Sequence, residues 1–333
     1  MVSMGKNNKT IFLIKFFAIF SVVCAHCNKV DTDYSAFSTI ASIAMSVVGT
    51  WGVVAFFGVS GFLFNPENKF LPFFKKRLFS LVLPWIISGT AVFLYVYLRR
   101  SSFSASDYVN FIAGNGSYLY YLSVLFIFHL LYFAIPFFRN IFFQLALVIG
   151  SVINIVFFSD CLTLNGIISP YLNPLNWLCY FATGNIVRQL EIKISKNFAL
   201  IASICSFLIC ASLIAISCLK QIPGSYFGPL GFCAAVFGGF LIVFDSVLLA
   251  DYSLSFIEYL GKHSFFIYLW HMPFAGIVAN LLSKKWLNYF VLLRPFLVLL
   301  LFFCIIKVLD ILVSKTKKLK FCETVLMLVG IRF

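Results

Sequence analysis

Residues 198–218 read FALIASICSFLICASLIAISC, an apolar segment without a single charged side chain. An α-helix needs about 20 mostly apolar residues to cross the hydrocarbon core of a bilayer. In lipid every backbone N–H and C=O group must find its partner within the protein, so an apolar run of this length crosses as a helix. The segment therefore predicts one membrane-spanning helix.

Similar apolar runs recur along the whole chain. They lie near 11–28, 38–64, 79–98, 117–137, 141–159, 172–187, 198–218, 226–249, 263–282 and 287–313. The run 172–187 is the shortest of them. Each run with its loop takes up about as much sequence as one span requires, so we predict about ten transmembrane helices.

The composition agrees with this interpretation. Of the 333 residues, 62% are hydrophobic and 11% are charged, whereas soluble domains average about 45–50% apolar and about 25% charged. These values exclude a soluble globular protein, a disordered chain and a nucleic-acid-binding domain. Solid apolar runs also argue against a membrane β-barrel, whose strands alternate polar and apolar residues. We predict an all-α, polytopic integral membrane helical bundle in which residues 1–333 form a single transmembrane domain without a separate soluble domain.

The distribution of Lys and Arg predicts the orientation, because cytoplasmic loops carry the excess of these residues. With a cytoplasmic N-terminus, the inner segments hold Lys6, Lys9, Lys69, Lys75, Lys76, Arg77, Arg139, Arg188, Lys193, Lys196, Lys262, Lys315, Lys317, Lys318, Lys320 and Arg332. The outer segments hold only Lys29, Arg99, Arg100, Lys220, Lys284 and Lys285. We therefore predict that both termini are cytoplasmic.

Two ionisable residues stand out in the first run. Lys15 and His26 are eleven residues apart, which on an α-helix is three turns plus 20° and about 16 Å along the axis. Both side chains therefore lie on one helix face, Lys15 toward the cytoplasm and His26 toward the outer surface. Ionisable residues in a span are by default functional, and this pair suggests a path across the membrane. The alternative is that Lys15 extends to the inner headgroups and His26 marks the outer interface.

Other polar or small residues have a functional and a structural interpretation. Ser60 and Gly61 end the second run, where small residues allow helices to approach closely. Lys75, Lys76 and Arg77 either anchor the inner surface or bind a polyanionic cytosolic ligand such as a nucleotide phosphate. His271 follows Tyr268 and Trp270, and a histidine beside aromatic residues is more often structural than catalytic.

The Cys24-Ala-His-Cys27 segment has CxxC spacing, but it lies in an apolar run and no second ligand cluster accompanies it. Buried cysteine behaves as a small hydrophobic residue. We expect no metal site.

Taken together, these segments resemble acyltransferase family three, the polytopic membrane acyltransferases that modify cell-surface glycans. Lys15, ten residues and His26 match the family's basic residue and histidine on the first helix, with Lys in place of the more usual Arg. Further matches follow in order at Trp51-Gly52, Phe56-Phe57-x-x-Ser60-Gly61-Phe62, Tyr120-Tyr121-Leu122, Tyr180-Phe181-x-x-Gly184 and Tyr268-Leu269-Trp270-His271. The family's RxxR motif is half present, because Arg77 matches but Ser80 stands at the second position, ahead of Pro84.

The resemblance implies an O-acyltransferase that moves an acyl group, usually acetyl from acetyl-CoA, to a sugar hydroxyl on the extracytoplasmic side. The acceptor would be a surface or lipid-linked glycan such as O-antigen, capsule or exopolysaccharide. The protein would lie among the lipids of the bacterial cytoplasmic (inner) membrane, with acetyl-CoA as co-substrate and neither a metal nor a nucleic acid involved.

The resemblance and the charges together assign the site residues. His26 would be catalytic, because histidine's ordinary pKa of about 6.5 suits a general base at ambient pH. It would deprotonate the hydroxyl directly or first carry the acetyl group itself. Lys15, Lys75, Lys76 and Arg77 would bind acetyl-CoA, whereas the remaining matches would line the substrate or support the site: Ser60, Gly61, Tyr121, Tyr268, Trp270 and His271.

Three other functions compete with this one. A transporter or flippase for the glycan or its lipid carrier would use the same charges as gates, but such proteins usually show repeated halves, and none is visible. A glycan polymerase tends to have a large outer loop, whereas the largest outer loop here, about 99–116, is short. A purely structural membrane protein would not need Lys15 and His26 on one face.

The predicted topology can be tested by cysteine labelling in intact cells. A membrane-impermeant thiol reagent should label cysteines placed at position 107 or 284, and should not reach cysteines at position 69 or 317, because only the first two lie outside. Labelling of position 317 from the outside would contradict the predicted topology.

Overall fold

A computed structural model describes the strand Val2–Ser3 and residues 8–28, 36–66, 69–97, 103–160, 163, 168–252, 254–281, 290–315 and 326–331. Its helices are α1 (Asn8–Cys27), α2 (Ala36–Gly49), α3 (Trp51–Phe62), α4 (Phe70–Arg77), α5 (Leu83–Tyr97), α6 (Ala105–Ala113), α7 (Tyr120–Ala134), α8 (Ile141–Phe157), α9 (Leu178–Gln189), α10 (Lys196–Leu219), α11 (Gly228–Leu249), α12 (Ser255–Lys262), α13 (Ser264–Leu281) and α14 (Arg294–Lys315). Positions 284 and 317 of the labelling experiment lie outside the described residues. The same is true of Lys6, Lys29, Arg99, Arg100, Lys285, Lys318, Lys320 and Arg332.

The shorter elements connect these helices. Turns of 3₁₀-helix cover Pro136–Arg139, Pro170–Leu172, Pro174–Asn176 and Val291–Leu293, and a π-helical turn covers Leu78–Val82. Val2–Ser3 pairs antiparallel with Lys193–Ile194.

The described residues contain seven helical segments that are long and apolar enough to cross a membrane. They are Asn8–Cys27, Ala36–Phe62, Phe70–Tyr97, Lys196–Leu219, Gly228–Leu249, Ser264–Leu281 and Val291–Val313. The chain is therefore an all-α, multi-pass membrane protein. Two further predicted runs form the shorter apolar helices Tyr120–Ala134 and Ile141–Phe157. In the run 172–187 the α-helix is α9, which has 12 residues and continues to Gln189. Ten spans and cytoplasmic termini remain predictions.

Helix α1 lies at the centre of the bundle. It packs against α2, α3, α11, α12, α13 and α14, and Leu13, Ala18 and Val23 are completely buried. A helix covered by protein on most sides can carry ionisable side chains, because these then face other helices rather than lipid.

The break between α2 and α3 has a local cause. The Ser21 hydroxyl of α1 donates to the Val48 carbonyl at 2.6 Å and accepts from the Gly52 N–H at 2.7 Å. In an uninterrupted helix the Gly52 N–H would bond to the Val48 carbonyl directly. Ser21 thus inserts into the hydrogen-bond ladder, which is one of the established causes of a helix bend. It also ties α1 to this point.

The π-helical turn Leu78–Val82 precedes Pro84, the second residue of α5. Pro84 has no N–H to bond to the carbonyl four residues earlier, which is that of Ser80, and its ring crowds that carbonyl. The wider turn accommodates this conflict. Such turns occur frequently at functional sites, and Ser80 here lines a cavity described below.

Close packing joins α3 to α9. A Cβ added to Gly184 would lie 1.9 Å from the Gly58 carbonyl oxygen, and one added to Gly61 would lie 1.9 Å from that of Phe181. Asn185 Nδ2 also donates to the Gly61 carbonyl at 3.2 Å. Gly61 is therefore a packing residue, as its structural interpretation proposed.

This packing predicts that Gly184→Ala destabilises the protein, because a methyl group would collide with backbone that has no rotamer to change. Overpacking typically costs about 1–3 kcal/mol, so the thermal unfolding temperature in detergent should fall. Gly150→Ala on α8 is the matched control, since a Cβ there meets nothing within 4 Å. Equal unfolding temperatures for Gly184→Ala and wild type would refute the close contact.

Candidate active site

Two histidines meet at one end of the bundle. His26 is the penultimate residue of α1, and its ring centroid lies 4.9 Å from that of His271 on α13, with the ring planes inclined by 50°. His271 is completely buried, whereas His26 is half-buried. The histidine pair therefore has one ring that is buried within the protein and one ring that is partly exposed.

The hydrogen bonding of His271 defines its chemistry. Its Nδ1 lies 2.6 Å from the carbonyl oxygen of Tyr268. A carbonyl can only accept, so Nδ1 carries the proton and a neutral ring keeps its lone pair on Nε2. Within the described part of the chain, Nε2 of His271 has no hydrogen-bond partner. This nitrogen is thus available to accept a proton or a hydrogen bond.

Two tyrosines hold the His271 ring in position. Tyr118 Oη donates to the Leu269 carbonyl at 2.7 Å, and Tyr268 Oη donates to the Tyr118 carbonyl. The Tyr118 ring packs edge-on against His271 with the centroids 4.9 Å apart. Reciprocal bonds of this kind fix the loop before α7 to α13.

Arg294 supports the other member of the pair. Its Nη1 donates at 3.1 Å to the carbonyl of Cys27, the last residue of α1, and the side chain is 3% exposed. A cation at a helix C-terminus is favourable, because the last carbonyls carry partial negative charge. Arg294 thereby holds the end of α1 that bears His26.

A cavity of about 180 Å³ lies further along α1. It contains two of the predicted cations, Lys15 and Arg77, and its wall includes Ser60, Ser80, Tyr121, His129 and Tyr268. Ser60 Oγ and Tyr121 Oη are hydrogen-bonded at 3.1 Å. Two basic side chains with several hydroxyl groups make this cavity suitable for an anionic, polar ligand.

The cavity and the histidine pair lie along the same helix, α1, although neither His26 nor His271 lines the cavity. Lys15 and His26 both face α13, because Lys15 shares the cavity with Tyr268 and His26 contacts His271. The prediction that both lie on one helix face is therefore confirmed. Tyr268 contributes to both places, since its side chain lines the cavity and its carbonyl fixes His271.

Other predicted site residues lie elsewhere. Lys75 and Lys76 are exposed and do not line the cavity. Only Arg77 points inward, because it lies one helical turn after Phe73, which is 1% exposed, and its guanidinium lies 5.4 Å from the centre of that ring. Trp270 Nε1 donates to the Val329 carbonyl at 3.1 Å, which ties α13 to the segment 326–331.

The sequence alone gives no site role to four residues that the structure places here: Tyr118, His129, Arg294 and Ser80. Their sequence signals are weak. His129 and Arg294 are only ionisable residues within apolar runs, and Ser80 is only a departure from a motif. Tyr118 lies two residues before the matched Tyr120-Tyr121-Leu122 segment and carries no pattern of its own.

Comparison with known proteins identifies the family. The sequence model of the acyltransferase domain family matches residues 8–309. This family is family three of the membrane acyltransferases. The chain belongs to this family. Neither the curated proteins nor the solved structures contain a significant match. The protein is therefore an enzyme that transfers acyl groups, and the transporter, polymerase and purely structural alternatives lose their support.

The histidine pair predicts a large loss of activity in His26→Gln, which keeps a polar side chain of similar size but removes the base. A positioned general base typically contributes about 10²–10⁴-fold to the rate. Acyl transfer by the purified variant should fall by about that factor, and His26→Ala should be equally inactive at an unchanged protein level in the membrane.

His271→Ala, tested in parallel, should give a partial loss or a lower protein level. Normal acyl transfer by His26→Gln would rule out an essential role for His26.

Proposed function

We propose that this acyltransferase is an O-acetyltransferase that moves an acetyl group from cytosolic acetyl-CoA to a hydroxyl of a cell-surface or lipid-linked glycan. The acceptor class is O-antigen, capsule or exopolysaccharide, and the enzyme acts in the bacterial cytoplasmic membrane. The observation that carries the proposal is that the cavity with Lys15 and Arg77 and the histidine pair lie along one helix, α1.

The charges support acetyl-CoA as the donor. CoA is a polyanion, and Arg77 can grip a phosphate with two hydrogen bonds because its guanidinium is planar. The cavity of about 180 Å³ is smaller than the roughly 300–1,000 Å³ of typical small-molecule sites. It would hold the slender pantetheine arm while the adenosine part stays outside, where Lys75 and Lys76 are exposed.

The geometry also supports transfer along α1. Lys15 would attract the arm into the bundle and direct the thioester toward His26, which is eleven residues or about 16 Å further along the helix. The acceptor hydroxyl would approach the half-buried His26 from the other end. Donor and acceptor would then enter from opposite sides and meet at the histidine pair.

The reaction needs one proton to move twice. In direct transfer, His26 removes the proton of the sugar hydroxyl while the oxygen attacks the thioester carbonyl, and the CoA thiolate leaves and takes up that proton from His26. In the covalent alternative, the neutral His26 imidazole attacks the thioester carbonyl, and the CoA thiolate leaves with the imidazole N–H proton. The sugar oxygen then takes the acetyl group while the hydroxyl proton returns to the imidazole. In the direct route Nε2 of His271 would accept a hydrogen bond from the protonated His26 ring.

The donor site predicts a specific binding defect in Arg77→Ala. Losing a hydrogen bond to a charged group typically costs about 1.5–3 kcal/mol, which corresponds to roughly 10- to 150-fold in affinity. The acetyl-CoA concentration needed for half-maximal transfer should rise by about that factor, and Arg77→Lys should recover only part of the loss.

Lys69→Ala is the matched control, because Lys69 is an exposed cation at the start of the same helix that does not line the cavity. Unchanged acetyl-CoA binding to purified Arg77→Ala, or an equal loss in Lys69→Ala, would refute the donor assignment. The basic segment Lys75-Lys76-Arg77 would then only determine the orientation of the chain in the membrane.

A further inference from the structure

A second cavity, of about 420 Å³, lies on the neighbouring face of α3. Val59 borders both cavities, but the second one has an apolar wall, formed by side chains such as Ile14, Val54, Val152 and Val236. Apolar cavities do not hold water well and instead accept apolar ligands. Acyl transfer as proposed above does not use this cavity.

The cavity is long in the direction of the helix axes. Its lining on α11 extends from Phe232 to Phe244, which is twelve residues or about 18 Å at the rise of an α-helix. This length is a large part of the roughly 30 Å hydrocarbon thickness of a bilayer. An elongated apolar space parallel to membrane-spanning helices has the shape of a hydrocarbon chain.

The cavity opens toward the side of the bundle that lipid would cover. Two of its lining residues, Phe198 on α10 and Phe240 on α11, are 57% and 44% exposed. Both helices are long and apolar enough to span the membrane. A chain in the surrounding lipid could therefore enter sideways without crossing water.

A cation and a hydroxyl lie beside the apolar wall of the cavity. Ile192 and Ile194 line the cavity, and Lys193 between them is exposed and does not line it. Thr10 also lines the cavity and is completely buried. Its hydroxyl has no hydrogen-bond partner within the described part of the chain, although buried polar groups are nearly always paired.

We propose that this cavity binds one acyl chain of a membrane phospholipid. The chain occupies the space along α11, the phosphate lies beside Lys193, and the ester carbonyl accepts a hydrogen bond from Thr10 Oγ1. Lys193 belongs to the segments predicted to face the cytoplasm, so the lipid comes from the inner leaflet. This site is separate from the donor cavity and from the histidine pair.

A steric block tests the proposal. In Val152→Trp the indole fills the cavity, whereas in Ile153→Trp it points to the lipid, because Ile153 is the next residue on α8 and is 47% exposed. Each protein is purified in detergent, and the bound lipid is extracted and identified by mass spectrometry. Wild type and Ile153→Trp should retain a stoichiometric phospholipid, and Val152→Trp should lose most of it.

A second measurement uses the unaltered chain, so it does not depend on whether Val152→Trp folds. The protein is reconstituted into vesicles of phosphatidylethanolamine and phosphatidylglycerol that contain a phosphatidylglycerol with a diazirine in one acyl chain. Irradiation should cross-link peptides that contain Val148 and Val152 or Val236 and Val243.

Cross-links confined to exposed positions of α10 outside the cavity, such as Phe207 and Leu208, would overturn the proposal. So would retention of equal phospholipid by Val152→Trp, or an extract containing an isoprenoid lipid in place of the phospholipid. None of these measurements depends on acyl transfer. They can therefore contradict the lipid site without contradicting the proposed function, and a failure of the proposed function leaves the lipid site untouched.

Discussion

Lys15, His26, His271 and Arg294 all lie in predominantly apolar helices, and a charged side chain at the centre of a bilayer costs about 2.5–3.5 kcal/mol or more. The fold meets this constraint by surrounding α1 with other helices, so Lys15 and His26 on this helix face protein. Lys15 shares a cavity with Arg77, hydroxyl groups and aromatic rings. His26 faces His271 at a helix end that Arg294 holds.

Close helix packing fixes the positions of the cavity and the histidine pair relative to each other. Ser21 fixes α1 to the bend between α2 and α3, and Gly61 and Gly184 bring α3 and α9 into backbone contact. The hydroxyls of Tyr118 and Tyr268 join the loop before α7 to α13. Since Lys15 and His26 are on one continuous helix, the distance between the cavity and the histidine pair is set by helix geometry rather than by loops.

Features that depend on local sequence could be predicted. Apolar runs identify the helices, because the length needed to cross a bilayer is fixed, and the spacing of Lys15 and His26 places them on one face. Features that depend on distant contacts could not. The bend at Thr50 requires a hydroxyl from α1, and the pairing of His26 with His271 brings together residues 245 positions apart.

The basic segment Lys75-Lys76-Arg77 shows most directly what cannot be predicted from the sequence. The sequence presents three equivalent cations, but the helix turns only Arg77 to the side of the buried Phe73, and Lys75 and Lys76 face outward. Charge density alone does not indicate which side of a short helix is packed. Likewise, Ser80 lines the cavity from within the π-helical turn before Pro84, which a motif comparison does not reveal.

The central claim is that donor and acceptor reach the histidine pair from opposite sides of the membrane. It is tested most directly by measuring acetyl transfer in membrane vesicles of known orientation with radiolabelled acetyl-CoA, which does not cross bilayers, supplied only from the outside. Inside-out vesicles, which expose the cytoplasmic side, should label the glycan in their lumen, and sealed right-side-out vesicles should not until they are made permeable. Equal labelling in sealed right-side-out vesicles would contradict the account.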